Sequence, residues 1–273
     1  MTDQPLFTTE DYLSILDLTF EVAKAIKDVL APDPRLPDCQ QLTTKLFLHA
    51  ASLYWLSNGT KTPAPKSKGG ISFFDFASTA VIVRAALETY LTLFEVFFEP
   101  TSDDEFEFRH ALWQLSGFIV LEDFVPSDPS LNQDYLQAQQ DIAILRQRIT
   151  QTKHFIQLNS KQKKEILQGK RVRKWHDIAH SAGFGIQFIR RIYALYSSYV
   201  HADGLSASQI FAAETADKQR EYIQNDMLTL LLLMSKLIVE YTRRFPESKA
   251  VCERFPGVYR HAQIWSNVVS QIP

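Results

Sequence analysis

Apolar residues recur every three or four positions along most of this chain, and alternating runs are few, so the pattern predicts helices rather than strands. The most apolar long segment is 73–98, FFDFASTAVIVRAALETYLTLFEVFF. A helix that is hydrophobic on most sides is central and buried. Residues 227–239, MLTLLLLMSKLIV, predict a second buried helix, too short for a membrane span and carrying Lys236. A third helix is expected over 186–201, within GIQFIRRIYALYSSYVHADG from Gly185 to Gly204. Around these three the periodicity predicts helices over about 9–30, 39–56, 102–123 and 134–158, and short ones after Pro246. Breaks fall at the prolines of 31–38, at Pro100, at 126–130 and at Phe255-Pro256-Gly257, and 57–70, SNGTKTPAPKSKGG, is expected as a loop. The expected architecture is all-α: a single-domain multi-helix bundle of eight to ten helices over 1–273, with its core at about 70–240 and a helical tail at 247–273.

Composition adds bounds. With 45% hydrophobic and 22% charged residues the chain can bury a sizeable core. A net charge of −2 gives no global field toward nucleic acid or anionic lipid, so any basic surface is local. One such run exists: residues 159–174, NSKQKKEILQGKRVRK, hold seven Lys or Arg and one Glu. The stretch from Lys161 to Lys174 is the expected contact for RNA or a nucleotide, unless it is simply a solvated helix and loop. Cys39 and Cys252 form no CxxC pattern, which argues against a disulfide framework and a thiolate zinc site, and a cytoplasmic location is expected. The start lacks a basic run followed by an apolar one, and no membrane partner is expected. GFG at 183–185 is too short for a dinucleotide fingerprint and the glycine pair at 69–70 is not part of a phosphate loop, so no cofactor is expected.

Polar residues inside the apolar segments are the candidates for chemistry. Tyr193, Ser197 and His201 are spaced by four and stack along one helix stripe. Arg84 and Glu88 sit one turn apart in the most apolar helix, where an unpaired charge is costly. They pair with each other and a neighbouring helix, or they meet the His201 stripe as a polar site. Arg109 and His110 are expected on or near the surface and His49 at the core edge or the surface. A metal-dependent hydrolase is an alternative through His176, Asp177 and His180, since two histidines four apart on a helix can grip zinc. A zincin would need Glu where Asp177 stands. An HD-type phosphohydrolase would use His154, His176, Asp177 and Asp203.

The Tyr-x-x-x-Ser-x-x-x-His pattern of Tyr193, Ser197 and His201 is followed by a small residue and a loop, and Arg84-x-x-x-Glu88 lies on a preceding central helix. Together they resemble a group of bacterial all-helical domains that is distantly similar to the HEPN superfamily, over about residues 70–240. The resemblance implies an RNA-cleaving or nucleotide-binding component of a toxin or defence system. It implies His201 as general acid or base, Arg84 on a phosphoryl oxyanion, Glu88 orienting either, and Tyr193 and Ser197 positioning substrate. HEPN ribonucleases carry an arginine four to six residues before the histidine. Here the nearest, Arg190 and Arg191, are ten or more residues back, so the guanidinium would come from Arg84. The same five residues could instead be a hydrogen-bonded seam fixing two central helices in a non-catalytic scaffold or interaction protein that forms a homodimer.

Overall fold

The structure, a computed structural model, describes residues 7–27, 33–63, 70–122 and 132–271. Among them are thirteen α-helices and one short hairpin. In chain order these are α1 (Thr9–Ala25), α2 (Leu36–Ser57), β1 (Thr60–Thr62), β2 (Ile71–Phe73), α3 (Phe76–Leu93), α4 (Asp103–Glu122) and α5 (Asn132–Gln151). There follow α6 (Lys153–Ile156), α7 (Ser160–Leu167), α8 (Trp175–Ser181), α9 (Ile186–Val200), α10 (Gly204–Ala212), α11 (Ala216–Arg244), α12 (Pro246–Arg254) and α13 (Pro256–Gln271). The all-α expectation holds, with more helices than eight to ten. The chain gathers into two compact units, one from 1–91 with 179–273 and the other from 92–178.

The first unit is built on α11. Every residue from Thr229 to Ile238 is buried, so this helix is enclosed on all sides, and α1, α2, α12 and α13 pack against it. By length and composition α11 could cross a membrane, but 72% of that apolar window is buried within the protein. Buried hydroxyls tie the layers together at backbone or side-chain acceptors. Tyr12 Oη donates to Ala50 O at 2.9 Å, Ser248 Oγ donates to Val22 O at 2.9 Å, and Tyr241 Oη lies 2.6 Å from Thr43 Oγ1. Both cysteines are free and buried. Helix α1 starts where Thr8 and Asp11 form a reciprocal capping box, which satisfies two otherwise orphaned N–H groups.

The second unit has its own core, in which Phe108, Ala111 and Leu115 of α4 meet Ile142, Leu145 and Ile149 of α5. Arg148 Nε donates to Glu107 at 2.7 Å across the same pair of helices.

Local chemistry explains where the elements depart from the periodic pattern. The segment at 134–158 divides because Thr152 caps α6, and Asp104 of α4 accepts from the Lys153 and His154 N–H groups at 2.8 and 3.0 Å. The carboxylate comes from another helix, so periodicity could not show it. The loop over 57–70 carries a hairpin instead: Thr60 stands opposite Phe73 and Thr62 opposite Ile71. Gly70, at φ +76°, makes this possible, since a Cβ there would lie 2.5 Å from Thr62 O. Part of the proline segment at 31–38 and the whole break at 126–130 lie outside the described residues. The helix expected over 73–98 begins only at Phe76, after Asp75 accepts from Ser78 N, and its last turn, Phe94–Phe98, widens to a π-helix. Glu99 N donates to Phe94 O at 2.9 Å, and Pro100, which has no N–H, ends the run.

Candidate functional site

Arg84, Glu88 and Tyr193 converge in the first unit. Arg84 Nη2 lies 2.8 Å from Glu88 Oε1 one turn along α3. Its guanidinium carbon sits 3.5 Å from the centre of the Tyr193 ring, a cation–π contact between α3 and α9. The Tyr193 hydroxyl points to the same Glu88 oxygen at 3.5 Å. The Arg84 side chain is only 11% exposed, and its Nη1 is buried with no hydrogen-bond partner among the described residues. The three side chains close on one another and fix how α3 meets α9.

Ser197 and His201 stand apart from this seam. His201 is eight residues beyond Tyr193, about 12 Å farther along the axis at 1.5 Å per residue, while Arg84 is held on the Tyr193 ring. Ser197 is half-buried and His201 exposed, and neither side chain has a polar partner among the described residues. Helix α9 ends at His201. Ala202 adopts φ 51°, in the left-handed region where glycine is usual, and Asp203 N donates back to Ser198 O at 3.1 Å. Asp203 then caps α10 by accepting from Leu205 N and Ser206 N. The imidazole is thus presented at a tightly specified junction between two helices.

A second polar group in this unit has no counterpart in the sequence reading. Asp226 of α11 is 5% exposed and accepts from Thr79 Oγ1 of α3 at 2.6 Å and from the Tyr196 hydroxyl of α9. Tyr196 Oη also lies 3.0 Å from Thr229 Oγ1. Burial pushes the Asp226 carboxyl up to about 7, although both hydrogen bonds oppose it. Burial and the neighbouring Tyr222 and Asp226 likewise push the Tyr199 phenol up to about 12. A signal was present in the sequence: Asp226 stands three residues after Ile223 and four before Leu230, on a stripe that is otherwise apolar.

No family model, curated protein or solved structure matches this chain. Its own geometry therefore carries the functional argument.

The second unit holds a cluster of charge. The π turn places Glu95 and Glu99 beside Arg109 of α4 and beside Arg171 and Arg173, which follow α7. Glu99 pairs with both Arg109 and Arg173; Arg109 also donates to Glu95 O at 2.8 Å and binds Glu105. Arg171 stacks 3.7 Å from the centre of the Trp175 ring and lies 3.4 Å from Glu95. These arginines, with Glu95, Trp113 and His154, line a cavity of about 150 Å³. The expectation that His110 lies on or near the surface is overturned, and Arg109 is half-buried. His110 is 2% exposed among the rings of Phe97, Phe106 and Trp113, and the Arg109 side chain is 15% exposed. Both occupy the face of α4 that the π turn covers, a contact made by another segment of chain. The basic run is likewise divided. Arg171 and Arg173 turn to carboxylates, while Lys161, Lys164, Lys170 and Lys174 are exposed.

His176 pairs with its neighbour Asp177 at 3.3 Å, His180 is exposed, and His154 packs on the Phe108 ring. Among the described residues no three His, Cys, Asp or Glu side chains are grouped to hold a metal ion.

Proposed function

We propose that the chain is a cytoplasmic, HEPN-like helical protein that acts on RNA. The observation that carries this reading is His201: an exposed imidazole without a polar partner among the described residues, fixed at the end of a helix that Arg84, Glu88 and Tyr193 lock in place. An imidazole that is open to solvent can exchange a proton with a ribose hydroxyl or a leaving oxygen. Arg84 and Glu88 serve as positioning residues, since their charges are spent on each other and on Tyr193. Exposed Lys161, Lys164, Lys170 and Lys174 supply contacts to RNA phosphates, which makes binding salt-sensitive. The test is cleavage of a labelled single-stranded RNA by the native protein and by His201→Ala. The variant is expected to lose about a hundredfold or more in rate, as for removal of a general acid or base, with unchanged binding in a mobility-shift assay. Equal rates would overturn the reading.

A second reading, a helical interaction protein that pairs with its own copy, is favoured by α10. Leu205, Ile210 and Phe211 are exposed there, Phe211 by 78%, and no charged residue occurs from Gly204 to Ala213. An uncharged apolar face can meet a second copy of itself without like-charge repulsion. Sedimentation equilibrium should show a dimer that Phe211→Glu converts to a monomer. A native protein that stays monomeric at high concentration would remove this reading.

A further inference from the structure

In the enclosed stretch of α11 from Thr229 to Ile238, Lys236 is the one ionisable side chain, and it is 6% exposed. Its amine makes no hydrogen bond or ion pair with any described residue. Nζ lies instead 5.2 Å from the centre of the Phe184 ring, at the turn that precedes α9. Burying an ammonium without a carboxylate in contact is costly, and an apolar side chain there would cost less.

Gly183 gives this amine room. It adopts φ +79°, its N–H donates to His180 O at 2.9 Å, and Phe184 N donates to Ala179 O at 3.0 Å. Beyond its two chain neighbours, a Cβ at Gly183 would meet within 4 Å only one atom of the described residues, Lys236 Nζ at 3.4 Å. The side of the turn that faces the amine is therefore open to a small group. A desolvated amine is held toward its neutral form, whose lone pair attacks a carbonyl carbon. Burial has the largest effect on Lys236 and lowers its pKa from the ordinary value; Arg243 acts in the same direction, and Glu240, one turn along, opposes both. On α3, Tyr90 meets the Phe184 ring edge-on at 5.7 Å. Its buried hydroxyl, without a partner among the described residues, feels the same Glu240 and Arg243 charges.

We infer that Lys236 is a covalent site for small uncharged aldehydes, which it captures as an imine at the Gly183 turn. The nitrogen lone pair attacks the carbonyl carbon and a C–N bond forms. The carbonyl oxygen then leaves as water with the two amine protons, and a C=N bond remains. A proton from solvent converts the imine to an iminium, which keeps a positive charge over the Phe184 ring and near Glu240. A carbamate or an acyl adduct would reverse or remove that charge, so an aldehyde suits these surroundings better. A charged substituent on the aldehyde would have to be desolvated beside the buried Phe184 ring, which selects against it. Gly183 and His201 stand at opposite ends of α9, so this site is independent of the RNA reading.

Reductive labelling of the full native chain with propionaldehyde and cyanoborohydride at pH 7, followed by peptide mass spectrometry, tests this. Cyanoborohydride delivers hydride to the iminium carbon and leaves a stable secondary amine. Lys236 is expected to be alkylated at least about tenfold faster than the exposed Lys161 and Lys164. Unfolding in urea exposes the three lysines alike and should bring their rates together. Glu240→Gln removes the opposing charge and should raise the Lys236 rate while leaving Lys161 and Lys164 unchanged, an effect that a merely structural role would not produce. A native Lys236 rate no greater than those of the exposed lysines, a preference that survives unfolding, or a Lys236 rate that Glu240→Gln fails to raise would each overturn the inference.

Discussion

Asp226→Asn will remove a loss of roughly 4 kcal/mol that this one carboxyl imposes on the native chain between about pH 4 and pH 7. That figure follows from about 1.4 kcal/mol per unit of pKa difference between the folded and unfolded states. In the unfolded chain the Asp226 carboxyl titrates at its ordinary 3.8; in the fold, burial raises it to about 7. A carboxyl with a raised folded pKa favours folding fully below pH 3.8, where both states are protonated. That contribution is lost as pH rises toward 7, because the unfolded chain can ionise and the folded one resists. The native protein should therefore be progressively less stable from pH 4 to pH 8 on account of this one group. Asparagine keeps an oxygen to accept from Thr79 and Tyr196 and has no proton to lose. Urea unfolding of both proteins at a series of pH values measures the difference. Parallel curves would show that the buried carboxyl does not control the acid–neutral profile.

Removal of Glu99 should act on the second unit in the opposite pH direction. Its carboxylate, 21% exposed, is shared by Arg109 and Arg173. Taking away one partner of a largely buried ion pair leaves the other charge uncompensated, which costs about 3–5 kcal/mol when burial is complete. Two guanidinium groups lose one carboxylate in Glu99→Ala, and Arg109 retains Glu105, so a loss of roughly 3 kcal/mol is expected. Burial alone would raise the Glu99 carboxyl, but the hydrogen bonds from Arg173 and Arg109 outweigh it and hold the group below its ordinary 4.5. The stabilisation is therefore present above about pH 4.5 and is lost as pH falls through the lower folded value. Thermal unfolding at pH 7 should show a large drop in the variant, and the gap between variant and native protein should narrow in acid. A gap that persists unchanged at low pH would mean that packing, rather than charge, is what Glu99 supplies.

The two variants lie in different units, and each concerns a polar residue whose partners come from distant segments. Asp226 binds residues 147 and 30 positions away along the chain, and Glu99 binds Arg173 from 74 positions away. Spacing along one helix says that such a residue is unusual, not what satisfies it. Arg84 and Glu88 were legible as a pair because both members lie one turn apart on the same helix. The role of Tyr193 against them was legible only as one of several ways to neutralise a charge in an apolar helix. The relation of His201 to Arg84 was not legible at all. Four-residue spacing keeps Tyr193, Ser197 and His201 on one stripe, but Arg84 of α3 meets that stripe at Tyr193, eight residues before His201.

By itself, then, the sequence determined the all-α class and the places of the long helices. Periodicity, capping residues and prolines are local, and each acts within about a turn of the residue that carries it. Thr8 with Asp11, Asp75, Asp203 and Thr215 each cap a helix through a side chain that accepts from the N–H of a nearby residue. Tertiary structure alone decided which polar side chains meet. It split the segment at 152 with a carboxylate from α4, buried His110 under the π turn, and drew Arg171 and Arg173 out of a basic run into a cavity. The physical reason is the same in each case. A buried charge or hydrogen-bonding group must be satisfied wherever the fold places it, and its partner is chosen by proximity in space, which no spacing along the chain encodes.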